Sequence, residues 1–246
     1  MKKCLVISGG DFFDAPRSLY DEADFVVACD KGWDYAKRLG FLPDVVIGDF
    51  DSYGAGVEEG DGASPAGDTA APAGDGASPA GDAFAWEGDT KIIKLSRDKD
   101  DSDTMAGVKY AIREGCNDFT FICAAGGRFD HFFCNIQTLS FIAEKFGKAR
   151  LLSENDEITV INKSSVEIEK KEGWSLSVFS LCDEARGITE EGTCWQLNGG
   201  IMRQNVPYGL SNEWTADKAK ISVEEGTLII ISSKIPGGIR PVKREK

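Results

Sequence analysis

Residues 45–52 read VVIGDFDS. Val45, Val46 and Ile47 end an apolar, β-branched run, the pattern of a strand buried on both faces. Gly48 interrupts it, and Asp49, Phe50, Asp51 and Ser52 follow. Side chains alternate faces along a strand, so Asp49 and Asp51 point the same way if the extended geometry persists. Two like charges so placed repel, and a cation between them relieves the cost. Gly, Asp and Ser are also ordinary strand-ending residues, so the octapeptide alone is equally compatible with turn chemistry.

Outward from this stretch, strand and helix patterns alternate. KCLVIS (3–8), DFVVACD (24–30), PDVVIGD (43–49), TKIIKLS (90–96) and FTFICAAGG (119–127) read as strands. GWDYAKRLG (32–40), closed by Gly40, reads as a helix, as do SDTMAGVKYAIREG (102–115) and HFFCNIQTLSFIAEKFG (131–147). Short apolar strands alternating with helices predict an α/β domain with a mostly parallel sheet over 1–148. Near residue 150 the texture becomes short alternating runs broken by turns: ARLLS, EITVINKSSVEIEKKEG, WSLSVFSL, GITEEGTCWQL, AKISVEEG and TLIIISS. These predict an antiparallel all-β domain, a sandwich or barrel, over 149–246.

One segment interrupts the first domain. GDGASPAGD occurs at 60–68 and again at 74–82. Gly, Ala, Pro, Ser and Asp cannot build a core, so residues 54–88 read as a disordered insertion. Between Tyr53 and Thr90 stand eight acids and no Lys or Arg, which supply −8 of the formal net charge of −13. An acidic chain lacks the basic footprint of a nucleic-acid or anionic-membrane binder. The apolar run Cys4–Ile7 is too short for a signal-peptide core, and no run approaches the roughly 18 residues that span a bilayer. Seven scattered cysteines without a CxxC pair fit reduced thiols in a cytoplasm.

In parallel sheets ligands gather at the carboxyl ends of the strands. Asp30 follows the second strand, and Asp49 and Asp51 follow the third. Asp98, Asp100, Asp101 and Asp103 follow the fourth, and Gly126, Gly127, Arg128, Asp130 and His131 follow the fifth. Four polar clusters on one rim favour a functional reading. Asp100 and Asp103 share a face if the helix has started by Asp100. Acids at a helix start also serve as caps, but capping needs one acid, not four. Hard ions such as Mg²⁺ take carboxylates together with substrate phosphates. Arg128 suits phosphate oxygens through its planar fork, and an Arg–Asp surface pair is the plainer alternative. A single histidine excludes a multi-His metal site. There is no GxxxxGK[ST] loop, no GxGxxG after the first strand and no GxSxG elbow. The combined chemistry is Mg²⁺-dependent phosphoryl or pyrophosphoryl transfer from a nucleotide.

DKGWDYAKRLGFLPDVVIGDFDS (30–52), KDDSDTMAGVKYAI (99–112), GGRFDHFFCNI (126–136) and GLSNEW (209–214), in this order, resemble the thiamine pyrophosphokinase family. The resemblance implies an α/β domain followed by a β-sandwich, and homodimers with active sites between subunits. It implies transfer of pyrophosphate from ATP to thiamine, giving thiamine diphosphate and AMP. Asp49, Asp51, Asp100 and Asp103 are then the Mg²⁺ and phosphate-handling carboxylates, and Asp51 or a neighbour takes the hydroxyl proton. Asp30, Ser52, Gly127 and Arg128 belong to the ATP site, with Asp130 and His131 holding its loop. Ser211 and Asn212 face thiamine, a cation whose ring suits acidic and aromatic surroundings. Trp214 is a candidate ring partner, and Trp195 reads better as core. Other readings are a pyrophosphokinase for another primary alcohol such as a hydroxymethylpterin, a non-catalytic sensor, and a metal-dependent phosphatase.

Overall fold

The computed structural model describes residues 1–49, 83–96, 98 and 100–237, with backbone alone for 83–86. Asp51 and Ser52, and most of the expected insertion, lie outside the described residues. The end of that insertion is not structureless: Ala83–Glu87 form a strand that pairs antiparallel with the next one.

The α/β elements are β1 (Lys3–Ile7), α1 (Arg17–Asp21), β2 (Phe25–Cys29), α2 (Gly32–Leu39), β3 (Val45–Gly48), β4 (Ala83–Glu87), β5 (Thr90–Lys94), α3 (Asp103–Arg113), β6 (Asp118–Ile122), α4 (Phe129–Lys145) and β7 (Lys148–Leu152). Strands follow as β8 (Asp156–Asn162), β9 (Ser165–Glu169), β10 (Trp174–Ser180), β11 (Glu184–Glu191), β12 (Leu197–Arg203), β13 (Lys218–Ser222) and β14 (Thr227–Lys234). One ten-stranded sheet runs β10-β14-β8-β7-β6-β1-β2-β3-β5-β4, and a second runs β12-β11-β13-β9. The block from β7 to β5 is parallel, and every other pairing is antiparallel.

The apolar strand runs have their cause in cover on both faces. Leu5, Ile7, Val26, Ala28, Val46 and Ile92 pack toward Trp33 and Ala36 of α2. Cys4, Val6, Val27, Cys29, Ile47 and Phe121 pack toward Val108 of α3 and Leu139 of α4. Burying a large apolar side chain contributes about 1.5–3 kcal/mol, so strands packed on both sides tolerate few polar residues. Gly40 ends α2 at φ 69°, as its position after GWDYAKRL requires.

The all-β half differs from expectation in two respects: ARLLS forms most of β7, which pairs parallel with β6 in the first sheet, and the strands after it do not stand apart from that sheet. β8, β14 and β10 extend the first sheet beyond β7 and pack their outer part against the second sheet. Half of the sandwich is therefore a continuation of the α/β sheet. An alternating pattern fixes which face of a strand is buried, not which neighbour it pairs with.

Candidate active site

Strand order reverses around β1: β2, β3 and β5 lie on one side, and β6 and β7 on the other. A crevice forms at such a switch point, outside the carboxyl ends of the strands. Ser8–Asp11 leave β1 there and hydrogen-bond to the loop after β6, with Gly10 N–H donating to Cys123 O at 2.7 Å and Asp11 N–H to Ala125 O at 2.8 Å. The Tyr35 hydroxyl donates to Gly10 O at 2.9 Å, pinning this loop to α2. A Cβ on Gly126, at φ 73°, would stand 1.9 Å from Asp11 Oδ2. Asp11 thus lies directly on the glycine pair that precedes Arg128. It escaped sequence reading, although its place after the first strand was a usable signal.

The next strands bring carboxylates together. Asp30 sits at φ 48°, and its N–H donates to Ile47 O at 2.9 Å. A Cβ on Gly48 would meet Asp30 Cα at 3.1 Å, so glycine lets the end of β3, and Asp49 after it, close on the end of β2. α3 arrives from above. Ser102 Oγ accepts from Met105 N–H at 3.2 Å, a cap worth about 1 kcal/mol. The hydroxyls of Thr104 and Ser8 lie 2.9 Å apart in a buried pair, tying the start of α3 to the end of β1. Burial pushes the Cys29 thiol up, and the carboxylates of Asp103 and Asp30 push it further. Both acids therefore border the same thiol, and their Oδ1 atoms are shielded from solvent.

The other acids of the DDSD run divide. The helix begins at Asp103, so Asp100 lies before it, exposed, and the two are not one helical turn apart. Asp101 takes Lys109 Nζ on both oxygens, at 2.8 and 2.7 Å, which is a structural task. Arg128 stands at the residue before α4, makes no side-chain cap bond there, and forms a forked pair with Asp130, 3.1 and 2.5 Å, with both side chains exposed. The Arg128 hydrogen bonds hold the Asp130 carboxyl below its ordinary range. Asp130 also accepts His131 N–H at 3.0 Å, and His131 itself is exposed. Among the described residues no three His, Cys, Asp or Glu stand close enough to hold a metal ion, and Asp51 is not among them.

GLSNEW lies at the edge of the sandwich. Ser211 is exposed at φ 58°, its N–H donating to Ser177 Oγ at 2.9 Å. Asn212 is buried and saturated: Oδ1 accepts from Trp195 N–H (3.0 Å) and Glu213 N–H (2.9 Å), while Nδ2 donates to Trp195 O (2.7 Å) and Glu190 Oε2 (3.3 Å). The two tryptophans exchange their expected exposure. Trp214 is core at 8% exposure, its indole N–H donating to Ile168 O, and Trp195 is 53% exposed. Glu190, buried beneath Asn212, was also not singled out within the run GITEEGTCWQL. A cleft of about 780 Å³ lies at the amino ends of the parallel strands, against Lys3, Asp118, Lys148 and Arg150, and contains none of these groups.

Residues 16–150 match the family model of the thiamin pyrophosphokinase catalytic domain, and residues 163–228 that of its vitamin B1 binding domain. The chain belongs to the thiamine pyrophosphokinase family. Thiamine pyrophosphokinase of Bacillus subtilis is 24% identical over 242 residues, spanning 95% of this chain and 99% of that one. The fold agrees with the crystal structure of the Bacillus subtilis thiamine pyrophosphokinase at TM-score 0.73, with 22% identity over 96% of this chain and all of the other. Yeast thiamin pyrophosphokinase agrees at TM-score 0.61, with 16% identity over 94% of this chain and 86% of that one. The vitamin B1 binding match favours thiamine over a pterin as acceptor. No helix among the described residues is long and apolar enough to cross a membrane.

Proposed function

We propose that the rim of the α/β sheet transfers pyrophosphate from ATP to the hydroxyl of thiamine, giving thiamine diphosphate and AMP, in the manner of the thiamine pyrophosphokinase family. The observation that carries the location is the convergence of Asp30, Asp49 and Asp103 from three chain segments on the ends of β2 and β3. Carboxylate oxygens without histidine or thiolate suit a hard ion such as Mg²⁺, which completes its shell with water and phosphate. Asp49, Asp51, Asp100 and Asp103 would hold it, and because the described three are not gathered in its absence, the ion would have to draw them together. When bound, the ion neutralises charge on the phosphates as the β-phosphorus is attacked.

The chain's own groups do the rest. Asp30, Ser52 and Gly127 hold the nucleotide, and Arg128 exchanges Asp130 for phosphate oxygens while Asp130 and His131 steady the loop. A rim carboxylate, Asp51 or a neighbour, takes the hydroxyl proton. Ser211 and the Asn212 loop present thiamine, with Trp195 as the ring partner and Trp214 behind it as support. The chain divides its work between 1–148, which handles ATP, and 149–246, which binds thiamine and associates. Exposed Phe129 and Phe133 beside the rim, and Trp195, Val206, Tyr208 and Leu210 beside the sandwich loop, favour cover by a second copy in a cytoplasmic homodimer.

Phosphorus NMR on the purified protein with ATP, Mg²⁺ and thiamine tests the reaction. AMP with thiamine diphosphate is expected. ADP with thiamine monophosphate would place the attack on the γ-phosphorus and overturn this geometry. Light scattering reads the dimer, which predicts twice the 26.6 kDa chain mass.

A further inference from the structure

Among the described residues Glu190 is the only Asp, Glu, Lys, Arg or His that is buried, at 3% exposure. β11 turns Ala185, Ile188 and Glu190 into the space between the two sheets, where the surrounding core includes Leu176, Ile221 and Trp214. A carboxylate there is costly, and a well-packed apolar residue would serve stability better. Its one hydrogen-bond partner among the described residues is Asn212 Nδ2, at 3.3 Å. That amide needs no help to keep its orientation, because its other three contacts are to the backbone at Trp195 and Glu213. Shape alone therefore does not account for Glu190. A glutamine would fill the same space and accept the same bond.

What glutamine lacks is charge. Directly above the carboxylate, Asn212 clasps both the N–H and the C=O of Trp195, whose indole stands half exposed. An indole face attracts cations, and a fixed anion behind it adds to the attraction. In a core of low dielectric a buried charge is felt much further than in water. The charged groups on the packed elements do not offset it. Arg186 and Glu191 of β11, Arg203 of β12, and Lys218 and Lys220 of β13 are exposed, Glu184 of β11 is half-buried and paired with Arg186 and Arg203, and Glu213 and Cys194 of the adjoining loops are half-buried.

We propose that Glu190 is the buried counter-anion of the thiamine pocket, acting through Asn212 and Trp195 to select a positively charged ring over a neutral ring of the same shape. The proposal rests on the reading that the loop of Ser211 and Trp195 faces thiamine. Burial pushes the carboxyl up to about 7, against the opposing pull of the Asn212 hydrogen bond. Near neutral pH the group is thus partly protonated. Arrival of a cation favours the ionised form, so binding should expel a proton from Glu190 to solvent.

The test is calorimetric titration of the full-length protein with thiamine, and with a neutral analogue carrying thiophene in place of thiazolium. Titrations run at about pH 7 in two buffers of different ionisation heat, which counts protons released. The wild-type chain should prefer the cation roughly ten-fold and release about half a proton per site with it alone. Glu190→Gln should erase both while still melting cooperatively. Retention of both by that variant overturns the proposal. So does a wild-type chain that releases no proton, a result that needs no variant to fold. Trp195→Ala separates the two readings. If it weakens thiamine binding while Glu190→Gln changes nothing, the loop assignment stands and the counter-anion is wrong. If neither variant alters thiamine binding, the loop assignment fails and takes the proposal with it.

Discussion

The two ends of the molecule treat carboxylates in opposite ways. At the parallel rim, acids arrive from several strand ends and from the start of α3, and Asp30, Asp49 and Asp103 stand half-buried at its edge. In the sandwich a single acid is enclosed by apolar neighbours and touches one amide. Repulsion gathered at a rim can be relieved by a cation from outside. A charge sealed in a core has no such relief and shifts its proton equilibrium instead. The first arrangement suits chemistry on phosphates, and the second suits recognition of a charge of opposite sign.

The largest effect belongs to the rim. Asp103→Asn should lower turnover about 1000-fold, the scale of losing one transition-state contact, with the thermal melt little changed. A variant with near-normal AMP formation would remove α3 from the chemistry and leave the rim acids as helix and strand caps.

Next comes the sandwich. The Glu190 carboxyl, raised from 4.5 to about 7 by burial, holds its proton in the folded chain where the unfolded chain has lost it. Folding stability should therefore fall as pH rises from 4.5 to about 7, by on the order of 3 kcal/mol, and level off above. Glu190→Gln should flatten that slope in urea titrations across the range. A variant with the wild-type slope would show the proton to reside elsewhere.

Smaller effects follow. Gly126→Ala forces a Cβ onto Asp11 at a left-handed φ, and should cost about 2 kcal/mol in melting together with a higher KM for ATP. Arg128→Ala removes only an exposed pair, so the melting temperature should hold while KM for ATP rises roughly ten-fold. A stability loss without a kinetic one in the Arg128 variant would reduce it to a structural partner of Asp130 at the start of α4.

The contrast also explains what was legible in the chain. Runs such as LVI, FVVAC and VVI announce a doubly covered sheet, and acids at their carboxyl ends announce a rim. The Ser102 cap explains why α3 starts where it does. α1 was not legible, since five residues, of which the adjacent Leu19 and Tyr20 pack on the core, carry no period. β4 hid because AFAWE adjoins a Gly–Ala–Pro segment. Asp100 and Asp103 would share a face only in a helix begun by Asp100, and the helix begins at Asp103. The exchange of Trp214 and Trp195 is a matter of tertiary contact. Both follow turn residues in polar surroundings, and only the loop path decides which indole reaches Ile168 O. Glu190 alternates correctly with Ile188 toward the core, but a glutamate at an inward position reads as an error of register rather than a feature.

The continuous sheet has a mechanical consequence. β7 pairs parallel with β6 on one side and antiparallel with β8 on the other. The two halves of the chain are therefore clamped along one hydrogen-bonded seam rather than strung on a linker. They cannot swing apart as hinged bodies, and heat should melt them in a single transition. Cutting the chain at 148/149 would strip β7 from β6 and leave a bare parallel edge open to pairing with other chains. Neither half is a module that can be borrowed without the other.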